Sequence, residues 1–392
     1  MQTLIELYDE RPLENVLGVE VFRPARVIYL CPEKVTKHKE LRERMQAYFA
    51  HRGISVELEF IRARVFDAMA TLQTLRGIVG RCPDCAMDIT GGTDAVLYAA
   101  GMLGAELPIP AFTYSIRQSC FYDIRNASFA SGLPCNVHFS VEDCILMAGG
   151  SVRAGRVDNA LLEKYFPDVE PFFQLYLRHR RNWVRIVTYF QRISQVGPDS
   201  PIPLQVQGSY VVKGERGDRI EAPEEAMREL EAIGFLSNLH LDREEGVSFA
   251  FRDHQIRFWL RDVGSVLELY VYKAFVDVCL FDDIRLSVQV DWEANEEQQH
   301  AVTNELDVMA TRGISPIFVS CKLGEARTEA LNELAILRDR FGGKVAKAAV
   351  VTAERGGAPL RNRAAELGIQ IIDRDDLIAG KLGKQLRRLV NK

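Results

Sequence analysis

Two changes in the period of the apolar positions divide this chain into three parts. From residue 3 to about 115, apolar runs at Thr3–Tyr8, Arg26–Leu30, Ser55–Phe60 and Ala86–Thr90 alternate with amphipathic stretches at His38–Arg52, Val65–Val79 and Asp94–Leu103. Short runs with helical spacing between them predict a parallel sheet flanked by helices, in a Rossmann-like βαβ order. Between Asp158 and Asp262 the pattern stops. Leu161–Ser194, rich in aromatic and basic residues, predicts one or two helices. A loop with three prolines (Gly197–Pro203) leads on to a helix at Pro223–Ile233 and a hairpin of Leu236–Leu241 and Val247–Phe251. Helix then hairpin makes this a winged-helix-like α+β segment. After Asp262 come an apolar helix (Val263–Val278), strands at Arg285–Trp292, Asn304–Met309 and Ile314–Lys322, and a helix at Ala326–Phe341. Lys347–Thr352, Arg361–Leu367, Ile369–Ile372 and Asp375–Leu389 close an α/β layer. The expected domains are residues 1–157, 158–262 and 263–392.

Composition narrows this little. A chain of 392 residues is too long for one ordinary core, and 47% hydrophobic with 26% charged residues is the balance of a globular protein. No run approaches the ~20 apolar residues of a membrane span. The first residues lack a secretory signal's basic start and apolar run, so a cytoplasmic protein with reduced thiols is expected. The net charge of −5 draws no polyanion, and any nucleic-acid contact must come from local basic patches. Cys82 and Cys85 have zinc-knuckle spacing but no second pair, and the cluster Arg178–Arg181 reads as a solvated helix face.

Two segments follow predicted strands, where open parallel sheets bind ligands. Asp9–Asn15 contains Glu10, Arg11 and Pro12. Thr90, Gly91, Gly92 and Thr93 lead into a helix, where paired glycines admit a phosphate, and hydroxyls and helix N–H groups can donate to it. The spacing matches neither GxGxxG nor the P-loop.

The strongest chemical pattern is Glu268 on a helix, Asp307 on one strand and Lys322 at the end of the next. Carboxylates on neighbouring elements bind hard ions such as Mg²⁺ or Mn²⁺, and a lysine beside them neutralises charge developing on a phosphodiester. A cation ending an apolar strand is also expensive unless it has a task. This is the arrangement of a PD-(D/E)xK nuclease, in a restriction-endonuclease-like α/β domain. Ser320 stands where the acidic residue of (D/E)xK belongs. The missing carboxylate comes from Glu268, from Glu305 beside Asp307 on the same strand face, or from Glu333 on the following helix.

With these parts in order, the chain resembles the CRISPR-associated ancillary nucleases, in which an N-terminal CRISPR-associated Rossmann-fold (CARF) domain is joined to a PD-(D/E)xK nuclease domain. The resemblance rests on DERPLENV (residues 9–16), DITGGTDAVLYAAG (88–101), NELDVMATRGISPIFVSCK (304–322) and TEALNELAILRDRFGGKVAK (328–347). It implies a homodimer whose paired CARF domains bind cyclic tetra-adenylate and thereby activate cutting or nicking of DNA and/or RNA. It also implies that Glu10, Arg11, Pro12 and Thr90–Thr93 line the ring pocket, and that Glu268, Asp307 and Lys322 fall on the nuclease motif. Two other readings stay open: a ring-responsive transcriptional regulator with an inert C-terminal domain, and a constitutively active nuclease.

Overall fold

A computed structural model describes residues 1–33, 38–153, 159–196, 202–292 and 303–391. Most of the expected proline loop and the expected boundary at residue 157 lie outside them. The N-terminal sheet has the order β3-β2-β1-β4-β5-β6, from β1 (Thr3–Leu7), β2 (Arg26–Pro32), β3 (Glu57–Ala63), β4 (Cys85–Asp88), β5 (Ala111–Ser115) and β6 (Cys120–Arg125). All pairs are parallel except β5–β6. Helices α1 (Leu17–Phe22) and α2 (His38–His51) cover one face, and α3 (Ala68–Arg81) and α4 (Asp94–Glu106) the other. The parallel strands β1, β2 and β4 match the predicted runs to within a few residues, because strands buried on both faces read as continuous apolar stretches.

Helix α5 (Val141–Met147) leads to β7 (Ser151–Arg153), which falls inside the expected N-terminal domain but pairs antiparallel with β13 of the C-terminal sheet. The middle module holds α6 (Phe166–His179), α7 (Trp183–Ile193), β8 (Gln205–Gly208), β9 (Val211–Lys213), β10 (Arg219–Glu221), α8 (Glu224–Ala232), the hairpin β11 (Leu236–Asp242) and β12 (Gly246–Phe251), and α9 (His254–Trp259). The hairpin takes β8 as its third strand, so helices and a small sheet combine as the winged-helix-like pattern requires. Arg178 and His179 both bind Glu229 of α8, at 2.5 and 2.9 Å, so half of the basic cluster ties two helices together.

Helix α10 (Ser265–Val278) opens the C-terminal domain. Its sheet, β17-β16-β15-β14-β13-β7, is built from β13 (Asp283–Asp291), β14 (Thr303–Arg312), β15 (Ser315–Lys322), β16 (Lys347–Thr352) and β17 (Ile369–Ile372), with α11 (Thr328–Gly342), α12 (Ala358–Glu366), α13 (Arg374–Ile378) and α14 (Leu382–Val390). One face packs on α10, α14 and the middle module around Phe172, Trp259 and Phe275. The other packs on α11 and α12, and its core continues without a break into the α1–α2 face of the N-terminal sheet. The layers run α3–α4, first sheet, shared helices, second sheet, then α10 with the middle module. Among the described residues no helix is long and apolar enough to cross a membrane.

Candidate active site

At Ser287 and Asp307 the β13–β14 ribbon changes face. Leu286 and Val308 pack into the core on the α10 side, whereas Val288 and Leu306, two residues along each strand, pack into the opposite core. Simple alternation would put them on one face. The change is made by Ser287, held at φ 54°, a left-handed conformation that a serine inside a strand adopts only where its surroundings impose it. It leaves Ser287, Glu305 and Asp307 facing α10 together.

These three line a cavity of about 130 Å³ with Glu268 and Ser265 of α10 and with Asp262. The Asp307 carboxylate is mostly buried and is held through Oδ2, which accepts the Cys321 N–H at 2.6 Å and the Ser320 hydroxyl at 3.2 Å; Lys322 Nζ lies 3.7 Å away. Ser320 therefore orients Asp307 with its hydroxyl in place of supplying a carboxylate. Ser287 donates to Glu305, and Asp262 accepts from the N–H and hydroxyl of Ser265, both at 2.8 Å. Burial first, then Asp307, Asp262 and Glu305, push Glu268 up to about 8 against the pull of Lys322. Burial also raises Asp307, outweighing Lys322 and the two donors. Three acids compressed beside one lysine are too negative for their surroundings, which a cation would relieve.

The donors are all oxygen, as Mg²⁺ and Mn²⁺ prefer. As the side chains stand, no three carboxylate, imidazole or thiol groups among the described residues converge closely enough to enclose an ion. Asp307, Glu268 and Glu305 line the same cavity and are the carboxylates that would have to draw together around such an ion.

Two expectations are corrected. Glu333 lies on the α11 side, where its carboxylate accepts from Asn304 at 3.0 Å, so it cannot complete this cluster. The side chain of Lys322 is 43% exposed, so the cost of burial does not single it out; its place beside Asp307 does. Sequence reasoning missed Asp262, Ser265 and Ser287. The Asp-x-x-Ser spacing ahead of α10 is a visible local cap, but nothing in the sequence marks Ser287.

At the N-terminal site the Asp9–Asn15 loop is tied to itself and to the glycine turn. Asn15 donates to the carbonyls of Asp9 and Arg11, Arg11 chelates Asp9 at 2.7 and 2.8 Å, and the Gly92 N–H donates to Asp9 at 3.3 Å. Burial pushes Asp9 up, but Arg11 and Gly92 outweigh it and hold the carboxyl below the usual range. A side chain at Gly91 would meet the Leu7 carbonyl at 2.8 Å and Asp9 Cβ at 2.9 Å, and Gly92 has φ 100°, so both glycines are required by the fold. The threonine hydroxyls do not wait for a phosphate: Thr90 donates to Asp88, and Thr93 donates to the Val65 carbonyl at 2.6 Å while capping α4. Glu10 is exposed, but Pro12 is buried and faces the C-terminal domain in a small cavity with Pro316 and Phe341. With the Thr90 and Gly92 N–H groups donating to Asp88 and Asp9, what the turn offers an anion is the N-terminus of α4.

Behind the turn, Glu6 and Asp88 are neighbours on β1 and β4 and fully buried. Both crowd Gly18, where a methyl would lie 2.4 Å from Asp88 Oδ2 and 2.8 Å from Glu6 Oε1, and neither oxygen has a hydrogen-bond partner among the described residues. Burial pushes Asp88 up to about 7 despite the donors of Thr90.

The structure thus joins a Rossmann-like domain with a glycine turn to a mixed sheet with an acid cavity and an adjacent lysine. Residues 254–391 match the family described as Card1-like, endonuclease domain. The whole fold is similar to protein VC1899 from Vibrio cholerae, with a TM-score of 0.73 at 19% identity, covering 99% of this chain and 98% of that one. It is equally similar to Can2 from Sulfobacillus thermosulfidooxidans, solved in complex with cyclic tetra-adenylate, with a TM-score of 0.74 at 16% identity and coverage of 100% and 99%. At these identities the likeness is one of fold. No curated protein matches the sequence.

Proposed function

We propose that the chain is a metal-dependent endonuclease of type III CRISPR defence, cutting or nicking DNA and/or RNA when cyclic tetra-adenylate binds a pair of its CARF domains. The carrying observation is the cavity in which Glu268, Glu305 and Asp307 face one another beside Lys322. A divalent ion held there would activate water and offset charge on the scissile phosphate. Ser320 and the Cys321 N–H fix the Asp307 carboxylate, and Lys322, half exposed, remains free to meet a phosphate oxygen arriving from solvent. Ser287 orients Glu305 in the same way.

Support for the activator comes from the glycine turn and from the likeness to Can2 in its ring-bound form. A ring with fourfold repetition suits a twofold pair, each copy presenting the same cradle. Phe66, Met69 and Tyr98, at 87%, 54% and 66% exposure around α3 and α4, give such a pair an apolar face to close on. A promoter-binding regulator with an inert C-terminal domain leaves the acid cavity and its lysine without a role.

The test incubates the protein with labelled DNA and RNA, Mg²⁺ or Mn²⁺, with and without cyclic tetra-adenylate, and with Lys322→Ala as control. Ring-dependent cleavage that Lys322→Ala abolishes is expected. Cleavage persisting in Lys322→Ala would overturn the site, and cleavage indifferent to the ring would overturn the activation.

A further inference from the structure

The loop Asp9–Asn15 meets the glycine turn on one side and the C-terminal domain on the other. On the turn side, a side chain at Gly91 would touch Glu14 Cβ at 3.3 Å as well as Asp9. On the other side, Pro12 and Leu13 line one small cavity with Gly342 and Val345, and a side chain at Gly343 would reach Arg11 Cβ at 4.0 Å. Residues 343–345 form the corner between α11 and β16, so this corner of the C-terminal domain stands at the rim of the N-terminal pocket. It carries Lys344, whose side chain is exposed. Burial pushes the Glu14 carboxyl up, and Arg11 and Lys344 pull it back, so the lysine's charge is felt inside the loop.

The pocket's own charge is wrong for an anion. Asp9, Glu10 and Glu14 outnumber Arg11 in the loop, and Asp94 sits in the first turn of α4, at the helix end that would otherwise attract negative charge. Arg11 is also occupied, bound to Asp9 at 2.7 Å and to Glu14 at 3.2 Å. A ring of phosphodiesters placed on the α4 N-terminus is therefore repelled unless a cation comes to it from outside the loop. An ammonium group on a long flexible stem, carried by the corner that already touches Arg11, supplies one.

We infer that Lys344 of the C-terminal domain completes the activator pocket by binding a phosphate of the ring held at the α4 N-terminus. The inference rests on the activator reading above and adds that the ring touches both domains of one chain. Lys344 stands just ahead of β16, which pairs with β15 over Ile317–Lys322. Its capture therefore acts on the strand that ends in Lys322 and whose Cys321 N–H holds Asp307.

Calorimetry of the full chain with cyclic tetra-adenylate in EDTA reads ring binding without cleavage. Lys344→Gln should weaken binding about tenfold and make its salt dependence shallower by about one log unit per decade of salt, as for one lost phosphate contact. Lys344→Arg should restore most of the loss, and Lys344→Glu should weaken binding further than glutamine does. Lys384→Gln removes the same charge from an exposed site on α14, on the opposite face of the C-terminal sheet, and should change neither quantity. Wild-type affinity in Lys344→Gln, a loss that keeps the wild-type salt dependence, or an equal loss in Lys384→Gln would each overturn the inference and leave the activator reading intact. A wild-type chain that fails to bind the ring would overturn the activator reading and this inference with it.

Discussion

The two six-stranded sheets place their chemistry in different parts of the strand. In the N-terminal sheet it lies beyond the carboxyl ends of β1 and β4, in loops whose acid, Asp9, is neutralised by Arg11 and tied to the Gly92 N–H. In the C-terminal sheet it lies inside β13 and β14 and under α10, where Asp307 and Glu268 face one cavity and are pushed toward their neutral forms. Parallel strands covered on both faces must be apolar along their length, so only their ends are free for ligands. An antiparallel ribbon that changes face at a left-handed serine can turn polar side chains inward at mid-strand. The acid of one site is held ionised and the acids of the other are held toward neutrality, so the two answer added charge in opposite ways.

The sharpest way to break this contrast is to disable one site and read the other. Asp307→Asn should lower ring-stimulated cleavage by about 10³-fold, with cyclic tetra-adenylate affinity, read by calorimetry, within about twofold of wild type. A large loss of ring binding would mean that the sites are not separable. In the reverse direction, Gly91→Ala forces a methyl against Leu7 and Asp9; ring affinity should fall at least about tenfold while Mn²⁺ binding is unchanged. Within the acid cavity, Glu305→Gln should weaken Mn²⁺ binding about tenfold, and Glu333→Gln, on the other face, should leave it unaltered. Equal effects of the two would dismiss the division between faces.

The smallest effect concerns pH. Asp88, raised to about 7 by burial, keeps its proton in the folded chain where the unfolded chain has released it. That contribution to stability is complete below the usual carboxylate range, around pH 4, and is lost as pH rises through about 7. Asp88→Asn keeps an acceptor for Thr90 and gives Glu6 a donor. Between about pH 5 and about pH 8 wild type should therefore lose roughly 3 °C more in melting temperature than Asp88→Asn. Parallel losses in scanning calorimetry would show that the pair is not protonated as described.

How much of this could be read from the sequence follows the same division. The parallel strands β1 to β4, the helices α2, α3 and α4, Asp307 and Lys322 were legible, because continuous apolar runs and the polar residues interrupting them are local signals, though the parallel strand β5 and the short helix α1 were missed. β6 was not: it is an antiparallel edge strand with Asp123, Ile124 and Arg125 exposed, so it carries no apolar run. β7 is three residues long and acquires meaning only by pairing with β13, more than a hundred residues later. The cavity's membership was half legible. Asp307 and Glu305 follow alternation, whereas Ser287 joins them through a backbone twist that no residue type announces. The glycine turn was found, but its threonines were misjudged, since a hydroxyl beside a strand end looks the same whether it faces a ligand or a buried carboxylate.

The strand Ser151–Arg153 has a consequence for how the chain is made and unmade. Because it closes the edge of the C-terminal sheet from the other half of the sequence, that sheet cannot be completed by residues after 158 alone. During synthesis β7 must wait, unpaired, until β13 has left the ribosome. A protease cutting the chain between the two would release a C-terminal half with an open edge, prone to pair with other chains. That half therefore cannot readily be freed from the N-terminal one by truncation.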